Sequence, residues 1–504
     1  MDDGRTLDGN GSWHPAGALF ALLLAAFLIR AVYPGQPLVE NYVGRQIPTA
    51  MVARNLDRGS GLLRPQIETA PFPNYFVVEP PIFELLAVVL NRTTSMGLSE
   101  AGRVVSALCS ALAAWGVFVL ARRRHGVRVA LLAVLVFSVF PLTIKYGRAF
   151  QPDASMLGAA VAGLACWDLS LARPSPRWRA SGWCLLAVGI AIKITSSFLL
   201  IPLFWMIGRQ GKPRDFAAAC TTLVPALLWY LWASHLIGQG VGSRASADNR
   251  SIWLSLLGPA ALLDPATIKV VAWSLLVRAF TPLGAGLALF GLWKQRTVPA
   301  QDGAFWWVWG ASAMAAMSLV AGKLHHEYYW LPLAPVVAVA AARAIERLIG
   351  QHQPLAAGVL AAALVVLCIV QTQSTWRTPA EWTNLETAAR AVRGVVPPED
   401  WLAASEALLF QSDRRGCRME WTTAAARRAA GEWASSPDVE SPVDLIEYYR
   451  LRGARYFADL GSRDPLSPRK GLHDAVRRRY KVIVDSPEVI IAELSNSGTH
   501  WNAN

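Results

Sequence analysis

The stretch Ser181-Gly182-Trp183-Cys184-Leu185-Leu186-Ala187-Val188-Gly189-Ile190-Ala191-Ile192-Lys193-Ile194-Thr195-Ser196-Ser197-Phe198-Leu199-Leu200-Ile201-Pro202-Leu203-Phe204-Trp205-Met206-Ile207-Gly208 decides how the chain is read. It is apolar from end to end except where Lys193 to Ser197 interrupts it. A single long helix here would place Arg209, Lys212 and Arg214 on the outer side of a membrane. Two short spans that turn near Lys193 return those charges to the cytoplasm, and this arrangement is expected.

Similar apolar blocks, each about 20 residues and long enough to cross about 30 Å of hydrocarbon, lie on either side. They fall at 17–32, 101–121, 127–146, 153–172, 215–237, 268–292, 303–322, 327–347 and 354–372. With the broken stretch they give about eleven spans. The loops assigned to the cytoplasm are all basic: Arg122, Arg123, Arg124 and Arg128; Arg173, Arg177 and Arg179; Arg209, Lys212 and Arg214; Lys294 and Arg296; Arg343 and Arg347. The outer loop 238–267 instead balances Arg244 and Arg250 against Asp248 and Asp264. Asp2, Asp3 and Asp8 fit a cytoplasmic N-terminus poorly, a single misfit among many loops. A multi-pass membrane protein follows, its N-terminus cytoplasmic and its C-terminal part outside.

Composition agrees. Hydrophobic residues make up 53% of the chain and charged residues 16%, too few charges to cover a soluble protein of this length. The net charge of +13 sits in short loops between apolar runs, which points to anionic headgroups and excludes a nucleic-acid partner. Five of the six cysteines lie in apolar segments, so Cys417 alone cannot make a disulfide scaffold of the exported part.

Two regions stand apart from the spans. Residues 34–100 form a long outer loop; its apolar run after Pro80-Pro81 is too short to cross and reads as an interfacial helix. Residues 373–504 are charged and alternate helix-like with strand-like segments. Leu445 to Leu451 reads as helix and Ala454 to Ala458 as strand, with a closing hairpin at Tyr480–Val484 and Val489–Leu494. The fold class expected is therefore an all-α polytopic membrane domain, 1–372, followed by a small extracytoplasmic α/β domain, 373–504.

Ionisable residues gather where outward spans end. The first loop holds Glu40, Arg45, Arg54 and Glu79. A helix over 45–58 would set Arg45 and Arg54 half a turn apart, so joint action is not expected of them. The second loop, Lys145-Tyr146-Gly147-Arg148-Ala149-Phe150-Gln151-Pro152-Asp153, places two cations on the less positive side, where they suit a phosphate. Asp153 after Pro152 is also ordinary helix-start chemistry. In Lys323-Leu324-His325-His326-Glu327-Tyr328-Tyr329-Trp330 the aromatic residues fit an interfacial belt. His325, His326, Tyr328 and Tyr329 are donors to a phosphate or a sugar hydroxyl; a divalent metal is the lesser alternative, because adjacent ligands lack a diagnostic spacing. Lys193, an intramembrane lysine, is a further donor-binding candidate. Phosphate-binding glycine loops, dinucleotide patterns and nucleophile elbows are missing, so no nucleotide cofactor is expected.

In order along residues 15–345, these features resemble the GT-C membrane glycosyltransferases, in particular the bacterial glycosyltransferase family 39 group of protein O-mannosyltransferase-like and aminoarabinose-transferase-like enzymes. The resemblance rests on Glu40 and the helix Gln46 to Asn55, Glu79-Pro80-Pro81, Tyr146-Gly147-Arg148 with Pro152-Asp153, Lys193 in a broken span, and His325 to Tyr329 before Leu331-Pro332. It implies transfer of a sugar from a polyprenyl-phosphate carrier at the outer face to a glycan, lipid or protein acceptor, with inversion and without a cofactor. A carboxylate takes the acceptor's proton and cations stabilise the departing phosphate. Many members carry an Asp-Glu pair where this chain has Arg45-Gln46. The base must then be another acid: Glu40 is the first choice, with Glu79 and Asp153 the alternatives. Arg45, Arg54, Lys145, Arg148 and Lys193 are the phosphate candidates.

Two other classes compete. A transporter or flippase of lipid-linked glycans would share the broken span, but should show internal symmetry that the sequence lacks. An assembly protein working through its C-terminal domain would leave the outer charge clusters dispensable.

Overall fold

The computed structural model describes residues 15–239, 257–293, 300–433, 438–461 and 468–494, together with Arg250 and Leu254. Half of loop 238–267, with Arg244 and Asp248, and also Lys294, Arg296 and the acidic N-terminal residues lie outside these.

The membrane part is helical. It runs α1 (Pro15–Arg30), α2 (Val43–Asp57), α3 (Ile82–Thr93), α4 (Leu98–Val139), α5 (Pro141–Arg148), α6 (Asp153–Ala172), α7 (Pro176–Ile192) and α8 (Leu200–Gln210). Then follow α9 (Pro213–Cys220), α10 (Val224–Gly238), α11 (Pro265–Trp273), α12 (Pro282–Trp293), α13 (Ala300–Leu319), α14 (Ala334–Gly350) and α15 (Pro354–Thr372). Among the described residues, four helical runs are long and apolar enough to cross a membrane: Leu98–Val139, Asp153–Ala172, Pro213–Gly238 and Pro354–Trp382. A fifth counts if Pro265–Ala279 and Pro282–Trp293 form one span.

That last pair corrects the straight helix expected over 268–292. Its halves meet at 95°. Thr281, at φ 62°, turns the chain, and Pro282 opens the second half because a missing N–H costs nothing there. The two spans expected at 101–121 and 127–146 are one 42-residue run broken at Gly126, whose φ of 83° favours glycine.

The polar interruption at Lys193 breaks the helix as expected. Lys193 is extended, and a 3-10 turn, Ile194–Leu199, leads into α8. The Ser196 hydroxyl donates to the carbonyls of Gly189 (3.2 Å) and Lys193 (2.9 Å), so it finds partners within the break itself. Lys193 meets Asp153 at one end of α6, whereas Met206 in α8 lies 3.1 Å from Arg124, which pairs with Asp168 near the other end. The chain therefore reverses at Lys193.

α6 and α7 pack backbone to backbone. A Cβ on Gly163 would lie 2.7 Å from the Leu186 amide nitrogen, and one on Gly189 2.8 Å from that of Ala160. Small residues allow this close approach, which rests on dispersion since lipid offers no hydrophobic gain. Gly189→Val should cost about 1–3 kcal/mol through overpacking and separate Asp153 from Lys193. A lower melting midpoint with lost donor binding would show it; unchanged values would mean that the helices shift freely.

The C-terminal part holds a five-stranded sheet in the order β4-β3-β5-β7-β6, after a two-stranded pair, β1 (Gln66–Ile67) and β2 (Asn74–Tyr75), in the first loop. The sheet strands are β3 (Trp401–Ala404), β4 (Gly416–Arg418), β5 (Ala454–Leu460), β6 (Lys481–Asp485) and β7 (Val489–Glu493). β3 is parallel to both β4 and β5; β7 is antiparallel to β5 and β6, the hairpin expected from the sequence. Helices α16 (Leu385–Val395), α17 (Glu406–Ser412), α18 (Thr423–Gly431), α19 (Pro442–Arg450) and α20 (Pro468–Arg479) complete it.

The first loop is built into this sheet. Gly416 donates its N–H to the Glu68 carbonyl (3.1 Å) and accepts from the Ala70 N–H (2.7 Å), extending the β4 edge. One apolar core contains Val39 before α2, Met51 in α2 and Phe83 in α3 together with Leu385, Leu402 and Leu408. α2 and α3 are therefore held between the membrane bundle and the sheet.

Candidate functional site

Five segments converge at one end of the bundle: the start of α2, the loop before α3, the start of α6, the break after α7 and the 3-10 turn Glu327–Leu333. Asp153, the first residue of α6, is buried, and its Oδ1 accepts from Lys193 Nζ at 2.5 Å. Its Oδ2 has no hydrogen-bond partner among the described residues. Lys193 Nζ also lies 4.5 Å from the Tyr328 ring centroid and 5.1 Å from that of Tyr329. The ammonium is thus held between a carboxylate and two aromatic faces.

Arg45 pairs with Glu79 across the same space. Burial disfavours the Arg45 charge, but Glu79 outweighs it and holds the guanidinium above its usual range. A cavity of about 220 Å³ opens between Glu79 and Lys193, walled by Ile194, Thr195, Tyr230 and Ile237. Its lining combines charged side chains, Glu79, Lys193 and Arg250, with apolar ones.

Aromatic rings pack beside Lys193. Tyr42 packs on His326 with centroids 4.5 Å apart, and His326 stacks on Tyr328 at 5.5 Å and 7°. Burial, helped by His325, Lys323 and Lys193, lowers the His326 pKa to about 4. The ring is therefore a neutral donor or acceptor at neutral pH. His325 is exposed. Among the described residues no group of three or more His, Cys, Asp or Glu side chains forms a metal cluster.

Other residues expected at a site are engaged elsewhere. Glu40 is buried against Arg103, whose Nη2 lies 2.7 Å from both carboxylate oxygens, and it does not line the cavity. Arg54 Nε donates to Glu68 at 2.6 Å and its Nη1 to the Phe410 carbonyl at 2.7 Å, which joins α2 to the C-terminal part. Arg148 Nη2 donates to the carbonyls of Val32 (2.8 Å) and Tyr33 (3.1 Å), and Nη1 to that of Thr375. Lys145 lies 3.6 Å from Glu327, which also meets Arg278 at 2.5 Å.

Sequence reading missed Tyr42, Tyr230 and Glu84. Glu84 had a signal, a carboxylate inside the apolar run Ile82–Leu90. It is buried in the first turn of α3, and burial, with Glu79 adding to it and Arg45 opposing, raises its pKa to about 8. The folded chain therefore keeps a proton that an unfolded carboxyl of pKa 4.5 has released. Stability should fall as pH rises through that window. The melting midpoint of the wild type should drop from about pH 4.5 to about pH 8, and Glu84→Gln should flatten the drop. Parallel curves for the two proteins would show that Glu84 is not the cause.

Residues 78–238, which contain Glu79, Asp153 and Lys193, match the family model described as dolichyl-phosphate-mannose-protein mannosyltransferase. No curated protein matches the chain by sequence. Among solved structures, ArnT from Cupriavidus metallidurans bound to undecaprenyl phosphate is similar at TM-score 0.66 and 15% identity, over 96% of this chain and 99% of that one. The oligosaccharyltransferase AglB from Archaeoglobus fulgidus, in complex with an inhibitory peptide and a dolichol-phosphate, is similar at TM-score 0.57 and 12% identity, over 89% and 70%. The mycobacterial arabinofuranosyltransferase AftD gives 0.53 and 14%, over 95% of this chain and 40% of that one. The chain thus has the GT-C membrane glycosyltransferase fold along nearly its whole length, with the mannosyltransferase family signature at 78–238.

Proposed function

We propose that this chain is a membrane glycosyltransferase that moves a sugar from a polyprenyl-phosphate donor to a glycan, lipid or protein acceptor at the outer face of a bacterial inner membrane. The observation that carries this reading is the opposition of Glu79 and Lys193 across one cavity with an apolar wall. A donor of this class has three parts: a sugar, a phosphate and a prenyl tail. Lys193 meets the phosphate, and the wall of Ile194, Tyr230 and Ile237 meets the first prenyl units. Glu79 accepts the proton of the acceptor hydroxyl as that oxygen attacks the anomeric carbon. The bond from that carbon to the phosphate oxygen breaks on the opposite side, so the configuration inverts. The polyprenyl phosphate leaves onto Lys193, which Asp153 and the two tyrosine rings hold in place.

In this reading Glu79 replaces Glu40 as the base. The resembled family carries an acid where this chain has Arg45, and Arg45 is the partner of Glu79. Glu40, closed off by Arg103, shapes the turn before α2. The ArnT and AglB structures, bound to undecaprenyl phosphate and a dolichol-phosphate, support a lipid phosphate as the leaving group. About eleven spans with a cytoplasmic N-terminus and an outer C-terminal part agree with the basic loops.

The test is release of polyprenyl phosphate from a panel of radiolabelled donors by purified protein in lipid, with the product's anomeric configuration read by NMR. Release with inversion is expected. Flipping of the intact donor with no release would favour a lipid-linked glycan transporter.

A further inference from the structure

At the far end of α6, the molecule has a second cleft that the catalytic reading does not use. Its volume is about 560 Å³, and Arg122, Arg123, Arg173, Phe118, Leu169 and Trp178 line it. From Asp153 to Ala172, α6 is about 30 Å long, so the cleft lies at the opposite boundary of the hydrocarbon from Lys193.

Its charge is not neutralised locally. Asp168, buried beneath, meets Arg123 at 2.5 Å and Arg124 at 3.0 Å. Among the described residues, the side chains of Arg122 and Arg173 have neither an ion pair nor a hydrogen bond. The Arg122 guanidinium lies 5.9 Å from the Phe118 ring, and Trp178, 41% exposed, stands at the rim. Two unpaired guanidinium groups above an apolar floor, in a gap between transmembrane helices, match a phosphate attached to acyl chains. A free phosphate would leave Phe118 and Leu169 against water, and a zwitterionic headgroup would bring its own cation to the arginines.

We infer that this cleft binds an anionic phospholipid, with Arg122 and Arg173 on the headgroup phosphate and an acyl chain along Phe118 and Leu169. The site is separate from the donor cavity and holds the inner end of the α4–α6–α7 packing that fixes Asp153 against Lys193.

The test is native mass spectrometry of the full-length protein with cardiolipin, phosphatidylcholine or inorganic phosphate added. Cardiolipin should remain bound and phosphatidylcholine should not. The double variant R122Q/R173Q should bind cardiolipin about thirtyfold more weakly. Arg128→Gln, 78% exposed and on the same boundary, should bind it as the wild type does. Equal binding by the double variant, equal retention of phosphatidylcholine, or displacement of cardiolipin by equimolar inorganic phosphate would each overturn the inference. If the double variant does not fold, a photoactivatable phosphatidylglycerol should crosslink the wild type within 118–123 or 169–178, and crosslinks confined to other segments would overturn it.

Discussion

Replacing Glu79 by Gln is expected to slow sugar transfer by about 10²–10⁴-fold, the usual contribution of a general base, while donor affinity changes little. Gln keeps the side chain's size and an oxygen that accepts from Arg45, so the loop before α3 should hold its shape. What it lacks is a place for the acceptor's proton. The loss should fall on kcat, with KM for the donor near its wild-type value. Lys193→Gln should behave differently, because Lys193 meets the phosphate in the ground state as well as when it departs: KM should rise along with a fall in kcat. If Glu79→Gln turns over at the wild-type rate, Asp153, with its free Oδ2, becomes the next base to test.

Glu40→Gln should fail in another way. It removes the charge from a pair in which both partners are buried and leaves the Arg103 guanidinium uncompensated, at a cost of about 3–5 kcal/mol. Arg103 also donates to the carbonyls of Pro34 (2.7 Å) and Pro37 (3.0 Å), so the turn into α2 depends on its position. Folded yield and melting midpoint should drop, while the rate per folded molecule should stay near wild type. A normal midpoint with lost turnover would return the role of base to Glu40. The two carboxylates thus separate on different measurements, one on rate and the other on stability.

The contrast also shows what the sequence made legible. Apolar length located the runs within Leu98–Val139, Asp153–Ala172, Pro213–Gly238 and Pro354–Trp382 that are long and apolar enough to cross, because hydrocarbon thickness acts on local sequence. The break at Lys193 was readable for the same reason: four polar residues within five cannot sit in a continuous apolar helix without consequence. The partner of Glu40 was not readable, since Arg103 lies 63 residues away in α4. Arg148 looked like a phosphate ligand on a loop, yet it is occupied by backbone carbonyls more than a hundred residues distant. The bend at Thr281 did have a signal, Pro282 within the apolar run, which the reading of 268–292 as one straight helix passed over. In the site itself, Lys193, Asp153 and Glu79 were identifiable as charges in costly places. Which of the acids faces a cavity is a property of the assembled bundle.

The hydrogen bonds between Glu68–Ala70 and Gly416 have a consequence for how the protein is made. The loop that carries Glu79 is anchored on a strand synthesised long after it; the Arg58–Asp413 pair in the same junction spans 355 residues of chain. Domains generally take shape as they emerge during translation, N-terminal parts first. Here the first loop leaves the ribosome without the sheet edge that positions it, and α2 and α3 lack half of their shared core. A nascent chain already threaded into the bilayer therefore carries an unfinished site, which closes only when the last hundred or so residues arrive.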